Sequence, residues 1–457
     1  MKRAAYNCLS TVLILFCMAA ASGCAKDKSG ISADFKAYFN NGTGKDNSPP
    51  LYPELSFAVM SDIHIYDPSL GKTGAAFEKT MNSDRKLLLD SIDLFDFAAE
   101  KIIASGARFL LIPGDLTKDG ELINHRLIAG KLKKFSDAGI KVFVIPGNHD
   151  VNNPGAVRYE GDKTFPVEKI SAADFTKIYA DFGYSAALKR DNASLSYLAE
   201  PAEGLWLLAI DSCRSSENVP GKEEIVSGKI GPETAAWIAG ILQAASAGKK
   251  AVFVMMHHGV VEHWKGQSKL HPAYLVNGFR DFSQFLASWD ARIVFTGHYH
   301  AQDITKAVFN DKFIYDIETG SLITAPSPIR FIKIKSINNG RSSVMDVFSD
   351  KLIGQIHPGT DFAEKGLAFV KKTVMNEAVT VLKKYKTSDK DALLIADLVG
   401  DSFCAHYSGD ENPALRPAFD KGKLGLWGRF IYSQQSYAVE GLWQDLIPAD
   451  NFVRLEL

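Results

Sequence analysis

Cysteine is scarce in this chain: five in 457 residues, three of them (Cys8, Cys17 and Cys24) within the first 24 positions. That leaves Cys213 and Cys404 for the folded part, which excludes a framework of disulfides and makes two free buried thiols the simpler expectation. An excess of one charge is also missing. The formal net charge is −1, and long runs of like charge are absent, so a broad basic surface gets no support and no nucleic-acid partner is expected. Low-complexity tracts and internal repeats are lacking. The apolar run 9–21 is too short for a typical membrane-spanning helix.

What the first residues do contain is an export pattern. Lys2 and Arg3 precede that apolar run, and Ala21-Ser22-Gly23-Cys24 follows it. The arrangement resembles a bacterial lipoprotein signal, which implies a signal peptide over 1–23, lipidation of Cys24, and anchoring in the cell envelope by an N-terminal lipid. Lys26 stands where some inner-membrane lipoproteins carry Asp, which points toward the outer membrane of a Gram-negative cell. Residues 24–50 are rich in Lys, Asp, Asn, Gly, Ser and Pro and read as a flexible tether.

Beyond the tether, short apolar runs alternate with longer amphipathic stretches. Strands are expected near 57–60, 108–112, 141–145, 205–210, 251–256, 292–295, 313–315 and 331–335. Helices are expected over 90–105, 121–137, 234–245 and 279–288, and residues 151–191 read as a long loop with short helices. This βαβ alternation predicts an α/β catalytic domain over 51–345. From 346 to 457 the texture turns helical, with helices at 362–384 and 389–407 and Ser388 as an N-cap, which predicts a smaller C-terminal domain.

Polar residues gather where the strands end. The first run ends in Ser-Asp62-Ile-His64, the second in Gly-Asp115, and the third in Gly-Asn148-His149-Asp150. Later runs end in His257-His258 and Gly-His298-Tyr-His300. Asp62 and His64 are two apart, so an extended backbone would turn both to one side. In an open α/β sheet the carboxyl ends of strands share one edge. Seven potential ligands are thereby expected together: Asp62, His64, Asp115, Asn148, His257, His298 and His300. Mixed imidazole and carboxylate donors suit Fe, Mn, Zn or Co, and seven are enough for two ions sharing a carboxylate.

Read in order, DxH, GD, GNHD, a lone His and GHxH resemble the five motifs of the calcineurin-like metallophosphoesterases, over about 56–335. The resemblance implies a β-sandwich flanked by helices, with Asp62, His64 and His300 on one metal ion. Asn148, His257 and His298 would hold the other, Asp115 would bridge them, and His149 would serve as general acid. A hydroxide between two divalent or trivalent transition-metal ions would then attack phosphorus in line. The nearest subgroup in motif detail is the class III cyclic-nucleotide phosphodiesterases, so a small phosphodiester is the expected substrate. A phosphomonoesterase, or a non-catalytic ligand-binding lipoprotein on the same scaffold, is the alternative. Asp119 stands one position later than the corresponding acid in many relatives, which puts a supporting role for it in doubt. Asp150 is expected to orient a neighbour, and His258 faces either the pocket or the back of the sheet. His263 and Trp264 are expected to touch substrate, and Asp211 to hold a turn.

Overall fold

A computed structural model describes residues 33–39 and 50–457; the segment expected to be a signal peptide, 1–23, and Cys24 lie outside the described residues. The first three strands, β1 (Leu55–Val59), β2 (Phe109–Ile112) and β3 (Lys141–Val144), are parallel and adjacent. Between them run the helices Ser91–Ala104 and Leu122–Asp137. Each of the three strands is followed by Met60-Ser61-Asp62, Pro113-Gly114-Asp115 or Pro146-Gly147-Asn148, so the polar segments leave the sheet at the same end.

The 151–191 region is more ordered than a loop. It holds a two-stranded hairpin, β4 (Val157–Glu160) with β5 (Lys163–Pro166), and the helix Ala172–Ile178, capped by a reciprocal Ser171–Asp174 pair. The hairpin was hidden because its second strand is exposed along its length, so it carries little burial periodicity.

A second sheet follows. Strands β6 (Lys189–Arg190), β7 (Tyr197–Ala202) and β8 (Leu205–Ile210) lead to β9 (Ala251–Met256) and β10 (Ile293–Thr296). The sheet is completed by β11 (Asp303–Phe309) and β12 (Lys312–Glu318), in the order β11-β12-β10-β9-β8-β7-β6. The chain then returns to the first sheet with β13 (Pro328–Ile337) and β14 (Ser342–Lys351).

The two sheets pack face to face. Phe57 of the first, stacked on Phe109 beside it, meets Phe253 and Phe295 of the second with ring centroids 5.6 and 5.5 Å apart. Period-two alternation sorts the side chains of β9. Phe253 and Met255 enter this inter-sheet core, whereas Val252, Val254 and Met256 face a second core under the helices Pro232–Ala247 and Phe279–Ser288. The fold is the expected α/β sandwich flanked by helices, with a helical region at the C-terminal end.

Two boundaries differ from composition-based expectation. Residues 33–39, assigned to the tether, form a turn in which Phe35 is 2% exposed, stacked on Phe285 and against Phe282. Polar neighbours masked this aromatic anchor. The division at 345/346 falls inside β14, and the last strand, β15 (Phe452–Glu456), pairs with β14. Between them lie the helices Phe362–Lys384, Asp389–Ser408 and Leu426–Leu442, with Ser388 capping the second as its spacing predicts. No helix among the described residues is long and apolar enough to cross a membrane.

Candidate metal centre

Asp115 lies at the focus of the strand-end loops. Its Oδ1 accepts a hydrogen bond from the His149 backbone N–H at 3.0 Å. Its Oδ2 is 3.5 Å from His64 Nε2 and 3.3 Å from His257 Nε2. Asp115 therefore belongs to two donor groups at once: one with Asp62, His64 and His300, the other with His257 and His298. In the first, His64 Nε2 is 3.9 Å from Asp62 Oδ1 and 3.3 Å from His300 Nε2, and His300 Nε2 is 3.4 Å from Asp62 Oδ1. In the second, Asn148 Oδ1 lies 3.1 Å from His257 Nε2. These separations fall below twice a metal–ligand distance of about 2.1 Å.

The imidazoles are oriented from behind. Nδ1 of His64 faces the Thr117 carbonyl, Nδ1 of His257 faces the Pro113 carbonyl, and Nδ1 of His300 lies 3.3 Å from Thr324 Oγ1. A carbonyl only accepts, so Nδ1 of His64 and of His257 carries the proton and Nε2 of each is turned toward Asp115. Burial opposes the charged form of His257, but Asp115 outweighs it and brings that histidine up to about 9. Burial, reinforced by Lys86, holds His64 well below the usual histidine range. Burial with His258 and His257 does the same to His298, and burial lowers His300. A neutral imidazole is the form that binds a cation. His298 Nε2 and Asn148 Nδ2 are buried without a hydrogen-bond partner. An unmet imidazole nitrogen beside a carboxylate fits a cation, and the donor set suits a transition metal.

The backbone here is strained. Asp62, His64, Asp115, His298 and His300 have φ of +49°, +40°, +52°, +79° and +66°. Left-handed conformations cost about 1–3 kcal/mol each for such residues and persist where surrounding structure enforces them. This corrects the expectation of an extended Asp62–His64 pair: β1 stops at Val59 and the ligands ride on a curl. The curl is stitched to its neighbours by Asp62 N–H to the Gly114 carbonyl, His64 N–H to the Asp115 carbonyl, and Ser321 Oγ–H to the Asp62 carbonyl. Two glycines are needed for close approach. A Cβ on Gly147 would lie 2.0 Å from Asp115 Oδ1, and one on Gly297 would lie 2.2 Å from Ser61 Oγ and 2.3 Å from Asp62 Oδ2.

His149 stands beside both groups, its Nε2 4.0 Å from Asp115 Oδ2. Its Nδ1 donates to Asp119 Oδ1 at 2.8 Å. Asp119 thus supports His149 despite its displaced position in sequence, and its other oxygen pairs with Lys118. Burial and Lys86 oppose the charged form of His149, but Asp115 and Asp119 outweigh them and bring it up to about 9.

The remaining expected residues divide. Asp150 accepts backbone N–H bonds from Gly147, Leu116 and Thr117, so it fixes the loop and does not face the pocket. His258 packs behind the sheet, with Nδ1 against Ser212 Oγ and Nε2 against the Val226 carbonyl, each at 2.8 Å. Both of its nitrogens are occupied. Asp211 accepts from Cys213 and Leu195 N–H, the turn role expected of it. His263 and Trp264 are not at the pocket: both are at most 1% exposed, and His263 Nδ1 lies 2.7 Å from Asp303. Cys213 and Cys404 are free and half-buried. Sequence reasoning missed Lys86, 6% exposed, whose charge is felt by His64, His149 and His300. It also missed Arg85, which bonds Tyr407 Oη at 2.8 Å and so ties the C-terminal helices to the rim. The charged triplet Asp84-Arg85-Lys86 was the available signal.

The chain belongs to the calcineurin-like phosphoesterase family, whose model matches residues 55–302. Similar solved structures include a dimetal phosphatase from Danio rerio, at 13% identity and a TM-score of 0.45, covering 66% of this chain and 96% of that one. They also include purple acid phosphatase PPD1 from yellow lupin (Lupinus luteus) seeds, at 10% identity and a TM-score of 0.41; 66% of this chain is covered and 52% of the lupin chain. No curated protein matches. The protein is a hydrolase acting on phosphoric esters, and its family implies divalent metal ions.

Proposed function

We propose that the protein is a bimetallic phosphodiesterase, carried in the bacterial cell envelope on a lipid attached to Cys24. Asp62, His64 and His300 would hold one ion, Asn148, His257 and His298 the other, and Asp115 would serve both. The single observation that supports this most is the placement of Asp115 Oδ2 within 3.5 Å of histidines from both groups. When bound, two such cations supply positive charge for phosphoryl oxygens and water of lowered pKa.

The chain's own residues do the rest. Asp119 holds His149 by Nδ1, so Nε2 is turned to the centre, where it delivers a proton to the departing oxygen of the ester. Lys86, buried at the rim, offers a cation to the phosphoryl group of an incoming substrate. Asp62 steadies the far loop by accepting the His298 N–H on both carboxylate oxygens, at 3.2 and 3.1 Å. Preference for a diester, cyclic nucleotides included, draws support from the motif resemblance, and the proton donor serves any ester whose alkoxide leaves poorly.

The test is a substrate panel on protein loaded with Mn²⁺, using bis(p-nitrophenyl) phosphate, p-nitrophenyl phosphate and cyclic AMP. Faster turnover of the diesters is the expected result, and a preference for the monoester would replace the diesterase reading. Anchoring is tested separately by incorporation of labelled palmitate, which Cys24→Ser should abolish.

A further inference from the structure

Away from the strand-end loops, a second group of acids is buried where β11 meets the C-terminal helices. Asp303, at the start of β11, is 1% exposed. Its Oδ1 faces His263 Nδ1 and accepts from Thr305 Oγ1, while Oδ2 has no hydrogen-bond partner and lies 3.7 Å from His406 Nδ1. His406 pairs through the same nitrogen with Glu411 Oε1, and Glu411 Oε2, in a residue 7% exposed, is unpartnered. Asp303, His406 and Glu411 bring donor atoms within 4.8 Å of one another, and so do Asp410, Asp445 and Asp450. Asp445 Oδ1 is again buried and unpartnered. Asp410 and Asp450 clasp each other's backbone N–H groups at 2.8 and 2.7 Å, which pins the two segments together.

Positive charge is limited in this cluster, where Lys351 faces Asp410, Asp450 and Glu411. Arg330 gives its Nη hydrogens to the carbonyls of Asp450, Asp303 and Glu318 and to Ser349 Oγ. His263 is shared among Asp303, Asp316 and Glu318. Several carboxylates buried together cannot all ionise without a compensating cation. Burial, then Asp303, Asp445 and Asp410, push Glu411 up to about 10, and burial with Asp303 and Asp410 pushes Asp445 up to about 6.

We propose that the group of Asp303, His406 and Glu411 is a structural divalent-cation site of the calcium class, linking β11 to the C-terminal region through the free carboxylate oxygens of Asp303 and Glu411. Calcium is favoured because carboxylate oxygens outnumber the one imidazole, whose Nδ1 is already engaged by Glu411. The histidine-rich strand-end centre has the opposite preference, so the two sites are chemically separable.

The full chain, stripped with chelator and equilibrated with Ca²⁺ alone, should retain about one Ca²⁺ through gel filtration and melt at a higher temperature than the stripped protein. Glu411→Gln and Asp303→Asn should each weaken Ca²⁺ binding by about tenfold or more without changing Mn²⁺ content at the strand-end centre. Asp115→Asn should leave Ca²⁺ retention intact. A wild-type chain that neither retains Ca²⁺ nor shifts its melting overturns the proposal, as does Ca²⁺ retention lost in Asp115→Asn. Retention of Zn²⁺ in place of Ca²⁺, lost in Glu411→Gln, overturns the calcium assignment. A cluster satisfied by shared protons alone predicts that Glu411→Gln melts like the wild type and that neither responds to Ca²⁺. Should Glu411→Gln fail to fold, Asp303→Asn and the wild-type titration still decide.

Discussion

Asp119 Oδ1 takes the Nδ1 proton of His149 at 2.8 Å, and this bond fixes which nitrogen of His149 faces the paired donor groups. The expected consequence is a kinetic one. Asp119→Asn should lower kcat by about 10–100-fold and leave metal content unchanged, because the bond orients a side chain and holds no ion itself. His149→Ala should lower kcat by about 10²–10⁴-fold, again with metal retained. Steady-state kinetics with metal analysis of the same samples checks both; equal loss of metal and rate would remove the assigned roles.

Sharing of Asp115 makes a stoichiometric prediction. Asp115→Ala should reduce bound metal from about two ions to less than one, whereas His300→Ala should lose mainly one. Elemental analysis after gel filtration reads this directly. If the two variants lose the same amount, the shared-carboxylate assignment fails.

Gly297 leaves no space for a side chain between Ser61 and Asp62. Gly297→Ala should destabilise the fold by about 1–3 kcal/mol through overpacking and should lower metal affinity by displacing Asp62. Chemical denaturation and metal titration measure the two effects. An unperturbed variant would mean that the loops yield more easily than their bonding implies.

Lys86 carries a charge beside three site histidines. Lys86→Ala should raise KM more than it lowers kcat and should keep bound metal, as expected of a residue that binds the substrate's phosphoryl group in ground and transition state alike. A variant altered only in kcat would move Lys86 from binding to the chemical step.

Phe35 connects the N-terminal segment to the helix Phe279–Ser288. Phe35→Ala should cost about 3 kcal/mol if that contact persists through folding, and should expose residues near 33–39 to protease. Limited proteolysis at constant temperature reports it.

Much of the sandwich was legible because its signal is local. Strands β8 and β9 and the helix Phe279–Ser288 lie where period and breakers put them, since a buried strand or an amphipathic helix writes its own neighbours' polarity. The exposed β4–β5 hairpin lacked such a signal. Phe35 carried one, but polar neighbours outweighed it in a reading by average composition.

At the site, the residue types and their strand-end positions were legible, and the geometry was only partly so. His257 and His258 show the limit: alternation says that they face opposite ways, but which one meets Asn148 depends on the loops after β2 and β3. Asp119 and Asp150 exchange importance for a similar reason. Sequence adjacency favours Asp150 as the partner of His149, yet its carboxylate is consumed by three backbone N–H groups.

By itself the sequence determined the class of chemistry, because donors for metal must be particular residue types and strand ends are marked by glycine and proline. Only the tertiary structure decided how those donors divide into two groups, what holds His149, and that Asp303 and Glu411 are neighbours. These are contacts between segments far apart in the chain, and their geometry depends on both partners, so neither segment's own pattern records it.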